Sequence, residues 1–220
     1  MLGLVLLLPS RCGACRRSGP SPCPACAAGL LVAPPLAPPA PLSGLAALLA
    51  YEGGARPLVA GLKVRHNRAA QRWLADGLGR LLPSGADLVT WAPTSARRAA
   101  ARGADHARLL AEAVADGAGV RGHGTLARLP GPPQTGRSRA ERLHDGPAFS
   151  ARYDLSGLVV VIVDDVTTTG ATLAAAGRAV VAAGARSAFG LAAAATPAAP
   201  ALAPAAPLLA GPGMLPRDRE

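Results

Sequence analysis

Aromatic residues are scarce. They make up 3% of the 220 residues, so a core must be built from Val, Leu and Ala. The rows of stacking rings used by sequence-tolerant nucleic-acid binders are missing as well. Lysine is scarcer still: Lys63 is the single lysine among 23 basic residues. It does not sit in the Gly-Lys-Ser/Thr ending that a Walker-type phosphate loop requires, which excludes that loop. No GxGxxG follows an early strand, which excludes a dinucleotide-binding fingerprint. No clean apolar run reaches the roughly 18 residues of a membrane span. The Ala-rich run near 188–210 comes closest, but Pro197, Pro200, Pro204 and Pro207 break it. The apolar start, MLGLVLLLPS, is too short to span a bilayer, has no basic region ahead of it and is followed by no small-residue cleavage site. No signal peptide is expected, and a cytoplasmic location is.

What is present is arginine, alanine, glycine and proline, a mixture that looks like the codon bias of GC-rich DNA and says little about function. The net charge is +10. Nine arginines against four acids lie between Arg97 and Arg142, so the excess is partly local. Such a balance suits a polyanion or a phosphorylated small molecule equally.

All four cysteines fall within 15 residues, as Cys12-Gly-Ala-Cys15 and Cys23-Pro-Ala-Cys26. Two CxxC turns facing each other supply four thiolates to a tetrahedral Zn²⁺. The other reading is two unrelated disulfides or redox pairs, but a redox CxxC opens a helix after a strand, and Pro24 argues against a helix here. The spacing therefore predicts a compact structural zinc module over residues 1–33, folded by its metal. The Pro-rich stretch 34–44 then reads as a stiff linker.

Residues 45–196 carry the main pattern. Leu45 to Val64 is mixed, with a turn at Glu52-Gly-Gly54. Arg68 to Leu82 has helical spacing of Trp73, Leu74, Leu78, Leu81 and Leu82, ended by Pro83-Ser-Gly85. Ala86 to Ala92 reads as a strand, 104–116 as a helix, and 119–150 as largely loop. Gly157 to Val163 is the clearest strand, apolar on both faces as a central parallel strand should be. Thr172 to Ala183 is helical with Gly184 as its C-terminal stop, and Arg186 to Thr196 is a further strand. This alternation predicts an α/β fold with a parallel sheet flanked by helices. Residues 197–220 are an Ala/Pro-rich tail expected to be disordered.

The chemistry concentrates in VVIVDDVTTTGAT, Val160 to Thr172. In open parallel sheets, ligands sit beyond the carboxyl ends of the strands. Asp164 and Asp165 are placed at such an end, and Val166, Thr167, Thr168, Thr169, Gly170, Ala171 and Thr172 lead into a helix. A helix N-terminus offers unpaired amides and partial positive charge. Hydroxyls and a glycine complete a phosphate cradle. The carboxylates repel a phosphate and suit sugar hydroxyls, or a Mg²⁺ shared with them. A ribose 5-phosphate satisfies both halves.

This stretch resembles the phosphoribosyl pyrophosphate (PRPP) motif of type I phosphoribosyltransferases, and the rest of the chain resembles one branch of them, the ComF family. The paired cysteines, Tyr51-Glu-Gly53, Leu62-Lys63, the Trp91-Ala-Pro-Thr-Ser-Ala-Arg97 loop with Arg102-Gly103, Pro133-Gln-Thr-Gly-Arg-Ser-Arg-Ala-Glu-Arg142 and Ala148-Phe149 follow the family's order over about residues 2–196. The resemblance implies that Asp164 and Asp165 hold the ribose hydroxyls with Mg²⁺. It implies that Val166 to Thr172 cradle the 5-phosphate and that the loop with Pro93, Thr94 and Ser95 receives pyrophosphate. Arg137 and Arg139 would lie in or beside a mobile loop that covers the reacting centre, where arginine helps neutralise the leaving group's charge. It implies phosphoribosyl transfer from PRPP to a nucleobase-like acceptor recognised by residues around 40–82 and the C-terminal part, where no code is readable. The alternative it leaves is a non-catalytic protein of DNA uptake (competence) that binds PRPP, a nucleotide, single-stranded DNA or a protein of the competence machinery. The chain departs from the family at Ala104-Asp-His106, where an aromatic and Asn-Gln are usual, and at His144-Asp145, where Asn is expected.

Overall fold

A computed structural model describes residues 11–65, 67–94, 105–129 and 147–196. In chain order the elements are α1 (Pro24–Ala28), β1 (Gly44–Ala50), α2 (Ala55–Arg65), α3 (Arg68–Gly79), β2 (Leu88–Trp91), α4 (His106–Ala118), β3 (Arg121–Gly122), β4 (Leu126–Arg128), β5 (Phe149–Ala151), β6 (Val159–Thr167), α5 (Ala171–Ala182) and β7 (Ser187–Ala195). Five strands form one sheet in the order β1-β7-β6-β2-β3, with every neighbouring pair parallel. β4 and β5 form a separate antiparallel ribbon.

β6 is the middle strand, and its sequence explains why. Val160 to Val163 are fully buried, with Val161 and Val163 in one core and Val160 and Ile162 in the other. The first core joins the sheet to α2, α3 and α4 through Leu58, Leu74, Leu78, Leu110 and Val114. The second joins it to α5 and the ribbon through Leu173, Val180, Leu126 and Phe149. Burying each such side chain contributes up to roughly 1.5–3 kcal/mol. The strand with the acids is thus the one whose position is best fixed.

The expected helices and strands of the main pattern are present. Four differences have physical causes. β6 does not stop at Val163 but continues to Thr167, because β7 keeps pairing with it out to Ala195. The mixed stretch after residue 44 begins with a strand, β1, because Phe189 to Ala195 of β7 offer it a parallel edge. The glycines at 53 and 54 then lead into α2. Pro24 does not prevent a helix: it occupies the first turn of α1, where proline's missing N–H has no partner to lose. The fourth is the segment read as a spacer, which packs against the sheet domain. Leu42 lies in the second core, and Ser43 donates its N–H to Ala188 at 2.8 Å. Just before it, Val32 bridges Leu49 antiparallel. The amides of Ala50 and Ala33 donate to Leu31 and Leu48 at 2.9 and 3.3 Å. The outer edge of β1 is covered in this way from Leu48 to Ala50.

Candidate functional site

β2 ends before β6 does. Trp91 is the last residue of β2 paired with β6, opposite Val163, and the amide of Ala92 still reaches the Val163 carbonyl at 3.3 Å. Beyond that point β6 runs on beside β7 alone, from Asp164 to Thr167. Asp164, Asp165 and Val166 therefore sit where β6 has lost its partner on one side, and all three are half-buried. The carboxylates are oriented by the chain itself. Asp164 Oδ1 accepts from the Asp165 amide at 2.8 Å, and Asp165 Oδ1 accepts from the Val166 amide at 2.7 Å. An ionised carboxylate accepts only, so the pair suits hydroxyls or a hard cation.

The turn that follows is built for close approach. Thr167 is buried, Thr168, Thr169 and Ala171 are exposed, and Thr172 is half-buried. Gly170 is buried with φ +75°, in the left-handed region, and a Cβ there would meet Pro39 Cγ at 2.9 Å. Glycine alone fits. Gly170 is also the N-cap of α5 and supplies no side-chain cap, while Thr169 Oγ1 stands 3.4 Å from the Ala171 amide. The first turn of α5 thus keeps its positive end next to two exposed threonine hydroxyls.

Pro93 and Thr94, both half-buried, begin the loop that leaves β2. Their peptide is gripped by two side chains that sequence reasoning did not assign: Arg128 Nη1 donates to the Pro93 carbonyl at 3.4 Å, and Asp105 Oδ2 accepts from the Thr94 amide at 3.1 Å. Neither stands out in the sequence, where the helical run reads from 104 with Asp105 inside it. His106 is buried at the start of α4 and lines a cleft with Leu62, Asn67, Gln71, Leu109 and Leu110, which shares no residue with the junction. Ser95, Arg137 and Arg139 lie outside the described residues, as do Arg97, Arg102, Arg142, His144 and Asp145.

The four cysteines do come together. Their sulfurs lie within 4.8 Å of one another, and Cys15 and Cys23 are 3.7 Å apart. Tetrahedral coordination at a Zn–S distance of about 2.3 Å separates sulfurs by about 3.8 Å, so the cluster fits a metal ion. One of its thiols is held towards thiolate and another away from it. Burial opposes ionisation of Cys12, but the amides of Cys15, Cys23 and Ala14 outweigh it and lower the thiol to about 6; the Cys23 amide stands 3.3 Å from the Cys12 sulfur. Burial and then the neighbouring sulfurs push Cys26 up to about 12. Among the described residues no helix is long and apolar enough to cross a membrane.

No protein-family model matches the chain, and no curated protein matches it. Among solved structures it is similar to an allosteric regulatory enzyme of purine biosynthesis, at 23% identity and a TM-score of 0.40, over 56% of this chain and 25% of that one. It is similar to the same degree, over 26% of the other chain, to the glutamine phosphoribosylpyrophosphate amidotransferase from B. subtilis in complex with ADP and GMP. The matching part spans about a quarter of the length of either structure.

Proposed function

We propose that the chain is a ComF-like phosphoribosyltransferase domain that binds PRPP with Mg²⁺ and transfers its phosphoribosyl group to a nucleobase-like acceptor, with a structural Zn²⁺ in the cysteine cluster. The observation that carries this reading is the junction of β6 and α5. Two chain-oriented carboxylates stand beside a helix start whose left-handed N-cap glycine brings no capping side chain.

In this reading the 5-phosphate docks on the amides at the start of α5 with the Thr168 and Thr169 hydroxyls. Asp164 and Asp165 accept from the ribose 2- and 3-hydroxyls. Mg²⁺, if bound with the substrate beside Asp164 and Asp165, would supply charge neutralisation for the departing pyrophosphate. A sugar held there would have the half-buried acids beside it, and their charge would favour positive charge on its ring. Pro93 and Thr94 carry the chain past the pyrophosphate end. Arg137 and Arg139 are assigned to that leaving group by family resemblance.

Calorimetric titration with PRPP and Mg²⁺ tests the reading. Saturable binding, lost in Asp164→Asn and Asp165→Asn, supports it; a flat titration of the intact protein overturns it. Pyrophosphate release in the presence of a panel of bases then reports transfer.

A second reading is a binding protein for single-stranded DNA. It is favoured by the His123–Tyr153 ring pair, 5.1 Å apart, on a surface where Arg121, His123, Arg152 and Tyr153 are all exposed. Steeply salt-dependent binding of oligonucleotide, removed by Tyr153→Ala, distinguishes it.

A further inference from the structure

The peptide between Pro93 and Thr94 is held at both ends by opposite charges. Its carbonyl faces the guanidinium of Arg128 at 3.4 Å and its N–H faces the carboxylate of Asp105 at 3.1 Å. The two side chains come from different elements, since Arg128 ends β4 and Asp105 is the N-cap of α4. Each is anchored in turn. The other oxygen of Asp105 accepts from the Arg108 amide at 3.5 Å. Arg128 lies over the Phe149 ring at 5.7 Å, its cross-strand partner in the ribbon.

A planar peptide can change its direction only by turning as a unit about the bonds that flank it. A turn here breaks both charge-assisted hydrogen bonds and points the carbonyl at a carboxylate. The donor-at-oxygen, acceptor-at-nitrogen arrangement is thus the favourable one, and it fixes the direction in which the chain leaves β2. That departure begins one residue past Ala92, whose amide bonds to Val163, the neighbour of Asp164.

We infer that Asp105 and Arg128 form a clamp on the Pro93–Thr94 peptide and act as positioning residues for the diphosphate end of the ligand. The inference rests on the PRPP reading for the ligand's identity, not for the clamp. Asp105 already occupies the Thr94 N–H, so that amide is not a donor to the ligand. What the pair contributes is the loop's direction.

Two variants separate the clamp from general packing. Arg128→Met keeps an apolar stem on Phe149 and loses the donor. Asp105→Ser keeps a helix cap but is too short to bridge to Thr94. Titration with Mg²⁺-pyrophosphate is expected to weaken about tenfold in each, the order of one charged hydrogen bond. Affinity for ribose 5-phosphate stays within about twofold. The double variant is no weaker than the worse single one, because one peptide orientation is lost only once. Equal losses for both ligands, additive losses, or tighter pyrophosphate binding in Asp105→Ser overturn the inference. A second measurement needs no ligand: exchange of the Thr94 amide should be slow in the unliganded protein and at least about tenfold faster in both variants. If the intact protein binds neither ligand, the PRPP reading falls. Exchange then decides the clamp by itself, and a Thr94 amide already fast in the intact protein removes it.

Discussion

Asn67 Nδ2 donates to the carbonyl of Arg11 at 2.9 Å, across 56 residues of chain. The same side chain accepts from the Ala70 amide at 3.0 Å, capping α3, and lies 3.3 Å from Ser21 Oγ, which in turn accepts from the Gly13 amide at 2.7 Å. One amide group therefore joins the cysteine knuckle to the first turn of a core helix. Asn67→Ala removes the cap and the tie together and should lower stability by about 1–2 kcal/mol. Asn67→Asp keeps the cap and loses the donor, so it should recover part of that. Urea denaturation of the three proteins checks the order.

The cysteine cluster predicts a pH dependence. Thiolate, not thiol, binds metal. Cys12 ionises at about 6, whereas Cys26 holds its proton up to about 12 in the metal-free cluster. Zinc must displace that proton, so affinity should climb between about pH 6 and 8, with proton release on zinc addition. Titration in weakly buffered solution with a pH dye reads both. Binding that is flat with pH and releases no proton contradicts the assignment.

Gly170→Ala should harm both the fold and the ligand site. At φ +75° a Cβ is strained, and here it also strikes Pro39 at 2.9 Å. The cost is about 1–3 kcal/mol in stability. PRPP binding should fall further than that of the stability-matched variant Asn67→Ala, measured by calorimetry.

Thr90 and Thr125 predict an asymmetry. The Thr90 hydroxyl, fully buried, accepts from both the Thr125 amide at 3.2 Å and its hydroxyl at 3.0 Å. Thr90→Val leaves two buried donors unmet and should cost about 1–3 kcal/mol. Thr125→Val leaves the amide paired and should cost less. Replacing both by Val should not add the two losses. Thermal unfolding of the set tests this.

Much of the sheet was legible because its signals are local. The β-branched run before Asp164 and the 3.6-residue spacing of α3, α4 and α5 need no partner to be seen. β1 was not legible: Leu-Ala-Ala-Leu-Leu-Ala suits a helix as well as a strand, and only the edge offered by β7 decides it. The reach of β6 past its acids depends on β7 in the same way. At the site, the acids and the threonine turn are contiguous in sequence and could be read directly. Asp105 and Arg128 act through a peptide 11 and 35 residues away, and no spacing rule joins them. The short helix α1 was misread because proline was weighed as a breaker rather than as a first-turn residue.

The strip at Leu31 to Ala33 that lies along β1 belongs to the chain just after the knuckle. Should the knuckle come undone, the strip is free to peel, and the outer edge of β1 at Leu48 to Ala50, which it pairs with, is laid open. A naked strand of that kind recruits the same strand of another molecule. The small cysteine module thus doubles as a guard against self-association.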